Sequence, residues 1–91
     1  MIRYAEDIVN RISNYIIPHD IFLHNNNAFK AIDMTRDLNL FDIKQLKMPD
    51  ETNRVYYRLH KGKYRAIFSF ENNDILVLAL DKREEIYKKW L

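Results

Sequence analysis

The sequence predicts an α+β domain in which N-terminal helices pack on a small antiparallel sheet and a short C-terminal helix closes the chain. Three observations carry this. Apolar residues recur at helical spacing from Ile2 to Ile16. Two strand-like runs then flank Gly62, the only glycine of the protein. The end of the chain, from Asp81 onward, returns to helical spacing. The 91 residues are read as one domain, with residues 1–40 as the helical part and 41–91 as the sheet and last helix. An apolar fraction of 47 % supports a real but small core.

In chain order, residues 2–16 read as an amphipathic helix. Ile2, Ala5, Val9, Ile12 and Ile16 follow one another at steps of three or four, and Pro18 ends the run. Residues 19–27 have the least pattern. Ile21, Phe22 and Leu23 suit a short strand or a buried turn, and the asparagines that follow suit a loop ending in a helix cap. His19 and His24 are five apart, with no helical i, i+4 pair and no third ligand, so surface or capping roles outweigh a metal site. Residues 28–38 read as a second helix on Phe29 and Ile32. Residues 39–49 read as an extended connection anchored by Leu40, Phe41, Ile43 and Leu46, and Pro49-Asp50 turns the chain.

Next comes RVYYRLHKGKYRAIFSF, Arg54 to Phe70, read as two strands joined at Lys61-Gly62. Alternation puts Val55, Tyr57, Leu59, Tyr64, Ala66, Phe68 and Phe70 on one face. The other face carries Arg54, Tyr56, Arg58, His60, Lys63, Arg65, Ile67 and Ser69. Counting from that turn sets Arg58 directly opposite Arg65. Asn72-Asn73 suits a second tight turn, because asparagine tolerates positive φ. ILVLAL, Ile75 to Leu80, is apolar without alternation and fits an interior strand. Asp81 and Glu84 resemble a capping box, and Ile86 and Trp90 anchor a last helix. Arg83 and Tyr87 share a different face of that helix.

Charge is unevenly placed. The net charge is +2. Residues 54–70 hold five of the 15 Lys and Arg and no acid, whereas residues 1–53 and 71–91 are mildly acidic. This points to a local anion site. Like charges directly opposite in a sheet are destabilising, and bound phosphates remove that repulsion. Tyr56 and His60 among the arginines can stack on bases or donate hydrogen bonds. A solvated outer face with scattered charge is the competing reading. The chain has no cysteine, so disulfides and thiolate metal sites are excluded. No apolar run is long enough for a membrane span and no signal-peptide pattern opens the chain, so a cytoplasmic protein is expected.

From Phe41 to Trp90 the sequence resembles the RelE/ParE superfamily of toxins from prokaryotic toxin–antitoxin modules. The matching pieces are K-x-L-K at Lys44–Lys47, Y-R-L-x-x-G-x-Y-R-x-I-F at Tyr57–Phe68, the polar turn, I-L-V-L-A-L, and K-R-E-E-I-Y at Lys82–Tyr87. The resemblance implies helices against a curved antiparallel sheet. It also implies a toxin that cleaves messenger RNA at the ribosome as an endoribonuclease, with neither metal nor other cofactor. Partners are then messenger RNA, the ribosome and a cognate antitoxin with an acidic segment that orders on binding.

On this resemblance Arg65 matches the arginine that binds the scissile phosphate, and Arg58 matches a basic residue of the preceding strand. Tyr87 matches the C-terminal tyrosine, and Arg83 the basic residue before it. Tyr56 stands where some members have lysine, and His60, which titrates near neutrality, is the substitute for proton transfer. Arg54, Tyr56, Lys61 and Lys63 complete the expected RNA-binding set. The family's first β-strand is not read at this N-terminus; Asp20–Leu23 is the segment that would replace it. Two alternatives stand beside the nuclease: a gyrase-targeting toxin, and a catalytically inactive module of this fold that binds RNA or protein.

Overall fold

The computed structural model describes residues 1–47 and 54–90. The turn expected at Pro49-Asp50 lies outside them. The elements are β1 (Ile2–Tyr4), α1 (Glu6–Ser13), α2 (His19–Thr35), a short 3-10 turn (Leu38–Leu40), β2 (Asp42–Leu46), β3 (Tyr56–Lys61), β4 (Tyr64–Glu71), β5 (Asp74–Lys82) and α3 (Arg83–Trp90). They build one sheet in the order β1-β5-β4-β3-β2. The α+β class is as expected. β2 to β5 pair antiparallel, and β1 joins β5 in parallel, so the sheet is mixed.

The largest corrections lie in the N-terminal part. Ile2–Tyr4 is a strand, not the first turn of a helix, so a first strand is present at the N-terminus, and Asp20–Leu23 is helical. Three residues of I-R-Y fit either period. The choice is made by β5, whose backbone groups need a partner: Ile75 N–H donates to Met1 O at 2.9 Å and Ala5 N–H to Val77 O at 2.9 Å. Ile2 and Tyr4 then pack on the core, while Arg3 points outward to Asp74 at 3.4 Å. The helix that follows is only eight residues long. It ends where Tyr15 turns left-handed at φ +59°. Ile16, expected in the apolar stripe, is 60 % exposed, and Ile17 is buried in its stead.

The second correction is α2, which begins immediately after Pro18 and runs straight through the asparagine triplet. Pro18 leaves no N–H unsatisfied at a helix start. Two of the asparagines make side-chain hydrogen bonds there, one within the helix and one to β1. Asn25 is buried and its amide donates to Ile21 O at 2.9 Å. Asn26 Oδ1 accepts from Tyr4 O–H at 2.6 Å. Phe22 and Phe29 pack their rings on Tyr4, at 5.2 and 6.5 Å. His19 stacks on Tyr15 at 4.7 Å, and its Nε2 meets Ile12 O at 3.2 Å, a structural role. The helix closes at Arg36, left-handed at φ +57°, whose N–H returns to Ile32 O.

The hairpin turn sits one residue later than counted. Gly62, at φ +67°, takes the first central position and Lys63 the second, so Lys61 pairs with Tyr64. A two-residue loop with glycine first is favoured because that position needs positive φ, which strains lysine. The shift moves every cross-strand pair by two and leaves both faces intact. Arg58 therefore faces Ile67, His60 faces Arg65, and Arg58 and Arg65 are diagonal neighbours. The second turn is as expected, with Asn72 and Asn73 at φ +52° and +68°. β5 is interior, between β1 and β4, as its unbroken apolar run requires.

The core lies between the helices and one face of the sheet, where Ile8, Ile17, Phe29 and Ile32 meet Leu59, Ala66, Phe68, Ile75, Val77 and Leu80. Phe29 and Phe68, both 0 % exposed, meet edge to face at 5.2 Å. On the opposite face Ile67 and Ile86 are also buried, which seats α3 over the sheet. No described helix is long and apolar enough to cross a membrane. Phe29→Ala should cost about 3–5 kcal/mol in denaturant unfolding, the range for emptying a buried phenylalanine site. Asn73→Ala should cost about 1 kcal/mol more than Asn73→Gly, because only glycine is unstrained there.

Candidate functional site

β4 is central and seven of its eight residues are non-acidic, so its outward side chains are held against whatever α3 and β3 present. Arg65 is the exceptional one. It is a cation only 8 % exposed, lying beside Arg58 and Arg83. Its Nη1 donates to Gly62 O at 2.9 Å and to Tyr64 O at 3.0 Å. It makes no ion pair among the described residues, and its Nε is buried with no partner there. Burial first, then the charges of Arg58 and Arg83, hold its guanidinium below the usual arginine range; Tyr87 and Asp42 oppose this. Arginine remains charged regardless.

Arg58 is partly enclosed, with a side chain 16 % exposed and a buried Nε that lacks a partner among the described residues. Its Nη2 reaches Asp42 Oδ1 at 3.3 Å. The other carboxylate oxygen, Asp42 Oδ2, meets His60 Nδ1 at 2.9 Å. His60 Nε2 meets Gly62 O at 3.1 Å. Both ring nitrogens of His60 therefore face acceptors from its own chain.

α3 supplies the rest. Arg83 opens it, with its N–H on Lys63 O at 3.3 Å, which ties the helix start to the hairpin turn. One turn on, Tyr87 lies under the Arg83 guanidinium at 4.7 Å. The hydrogen bond from Arg83 and then its charge hold the Tyr87 phenol below the usual tyrosine range, and Arg58 and Arg65 add to the shift. Burial instead pushes the Tyr4 phenol well above it. Gly62, Lys63, Tyr64, Arg65, Lys82, Arg83 and Glu84 line a cleft of about 570 Å³. Four of these are cations against one carboxylate. A separate cleft of about 500 Å³ beside α1 carries Asp7, Asp81 and Glu85 against Arg11, Lys82 and Lys89 and has no such excess.

The structure thus brings together Arg58, Arg65, Arg83 and Tyr87, with His60 at their edge and Lys63 on the cleft wall. Arg54 and Lys61 of the expected set lie elsewhere. Arg54 pairs with Glu71 at 3.2 Å. Lys61 lies over the Phe41 ring at 5.6 Å, on the helix side of the sheet. Tyr56 packs near Trp90, ring centres 6.1 Å apart. Asp42 and Lys82 were missed by sequence reasoning. Asp42 lies in a segment read as a connection; recognising D-I-K-Q-L as a strand would have set it opposite His60. Among the described residues no group of three His, Asp or Glu is placed to hold a metal.

No protein-family model matches the chain, and no curated protein matches its sequence. Solved structures do. A chain of the RelB–RelE antitoxin–toxin complex of Methanococcus jannaschii aligns with a TM-score of 0.70 at 22 % identity, over 98 % of this chain and 99 % of that one. A chain of the archaeal RelE–RelB complex of Pyrococcus horikoshii OT3 aligns with a TM-score of 0.61 at 22 % identity, over 90 % and 92 %. Both alignments run through the N-terminal part as well as the Phe41–Trp90 stretch in which the sequence resemblance lies. The chain has the RelE fold.

Proposed function

We propose that this protein is the toxin of a toxin–antitoxin pair, and that it acts in the cytoplasm as a metal-independent, ribosome-associated endoribonuclease on messenger RNA. The observation that carries the reading is the enclosed, uncompensated Arg65 flanked by Arg58, Arg83 and Tyr87, on a fold otherwise seen in RelB–RelE complexes. The cognate antitoxin is the second partner. It supplies carboxylates to a surface on which cations are in excess.

In this mechanism an RNA phosphate binds at the edge of the cleft, against Arg65 of its lining and Arg58 beside it. The 2′-oxygen of the preceding ribose attacks phosphorus, and the bond from phosphorus to the 5′-oxygen of the next nucleotide breaks. The products are a 2′,3′-cyclic phosphate and a 5′-hydroxyl. Charge builds on the phosphoryl oxygens, where guanidinium donors are strongest. Tyr87, as the phenolate favoured by Arg83, takes the 2′-hydroxyl proton, and the leaving oxygen takes its proton from solvent. His60 has both ring nitrogens engaged within the chain, so we assign it to holding the turn instead of moving protons. Lys63 and Lys82 on the cleft wall hold neighbouring phosphates.

A second reading, a RelE-fold module that binds RNA or protein without cutting, is favoured by one observation: Asp42 already occupies Arg58. Expression in a bacterial host separates the two. The nuclease reading expects growth arrest with new messenger RNA ends, and Arg65→Ala or Arg58→Ala should lower the cleavage rate about 100-fold or more. Intact messenger RNA beside arrested growth would select the binding module or a gyrase target.

A pH profile tests Tyr87. Its lowered pKa means that the reactive phenolate is populated at lower pH than in a free tyrosine, so cleavage should rise with pH and level off earlier. Arg83→Gln should move that rise to higher pH, and Tyr87→Phe should abolish it. Ultraviolet titration of the tyrosines should show the same order, with Tyr4 ionising last.

A further inference from the structure

We infer that Asp42 is the positioning residue of this site: one carboxylate on the edge strand β2 orients both phosphate-binding guanidiniums. This deepens the proposed function and rests on it only for its RNA arm.

The geometry is a chain of four contacts. Asp42 Oδ1 accepts from Arg58 Nη2 at 3.3 Å. Asp42 Oδ2 meets His60 Nδ1 at 2.9 Å. His60 Nε2 meets Gly62 O at 3.1 Å, and the same carbonyl accepts from Arg65 Nη1 at 2.9 Å. A carbonyl has two lone pairs, so Gly62 O serves both donors at once. Asp42 thus touches Arg58 directly and reaches Arg65 through His60 and the turn.

Asp81 on β5 is directly opposite Arg65 but is engaged by Arg11 at 3.1 Å, and register gives Arg58 no carboxylate of its own. Arg58 is directly opposite Lys44 on β2 and Ile67 on β4, a like charge and an apolar side chain. Asp42 is the one acidic residue of β2. Its side chain is 61 % exposed, so substituting it disturbs no core packing. Arginine planes recognise phosphate only in a set orientation, which makes orientation a property worth fixing before the ligand arrives.

The test uses the purified full chain in four forms: wild type, Asp42→Asn, Asp42→Glu and Arg65→Ala. Asp42 is exposed, and unchanged far-ultraviolet circular dichroism and melting are expected for its variants. Nitrogen-15 NMR reads the His60 ring and the Arg65 guanidinium without any ligand. Asp42→Asn should lose the paired His60 N–H signals and speed rotation and exchange at Arg65, and Asp42→Glu should restore both. An Arg65 signal unchanged by Asp42→Asn overturns the proposal, whether or not RNA is bound. Binding of a short single-stranded oligoribonucleotide should weaken roughly tenfold in Asp42→Asn and recover in Asp42→Glu. Unchanged binding in Asp42→Asn, with binding lost in Arg65→Ala, overturns the role of Asp42 and leaves the RNA reading standing. If the wild type fails to bind RNA while Arg65 responds to Asp42→Asn, the RNA reading falls and the positioning role holds.

Discussion

A guanidinium enclosed beside two others is the constraint around which this molecule is arranged. Arg65 is held in place by backbone, not by a counter-charge. Its strand is hydrogen-bonded on both sides, and its side chain is pinned to the carbonyls of Gly62 and Tyr64. Each of these contacts is strong because the donor is charged. None of them cancels the charge. The fold therefore stores unfavourable electrostatics at one place, and that place is where an anion gains most by arriving.

The helix side of the sheet makes this arrangement stable. Leu59, Ala66 and Phe68 alternate with the outward cations along β3 and β4, and bury against Phe29 and Ile32. The same residues that build the core set the faces on which Arg58 and Arg65 emerge. A shift of one residue along a strand would bury the arginines and expose Phe68, so the register is strongly specified. α3 adds Arg83 and Tyr87 from the far side, anchored by Ile86 and tied to the turn by Arg83 N–H on Lys63 O. Three consecutive strands and one helix thus contribute to a single cluster, and all four converge at the turn containing Gly62.

The likeness to the archaeal RelE–RelB structures at 22 % identity follows from where the constraints lie. Alternation, two tight turns and one interior apolar strand define the sheet, and many residue choices satisfy them. The site tolerates less. On the proposed function, Arg65 can be replaced neither by an acid nor by a small residue without losing the phosphate contact.

Local chemistry by itself determined the second half of this protein. Gly62, Asn72 and Asn73 adopt the positive φ that their side chains allow, so the meander of β3 to β5 was legible in one dimension. So were the two faces of the hairpin, and with them Arg58, Arg65, Arg83 and Tyr87. The turn was placed one residue early, because counting a loop does not say which of its residues takes the left-handed position; the strain on lysine does. The rest was decided by tertiary structure. Ile2–Tyr4 is a strand because β5 has an edge to pair. Asn26 lies within a helix on a face that Tyr4, 22 residues earlier, bonds through its hydroxyl. Asp42 enters the site because β2 pairs with β3 in one register. In each case a short or polar segment has no strong preference of its own, and a partner distant in sequence supplies the free energy that chooses for it.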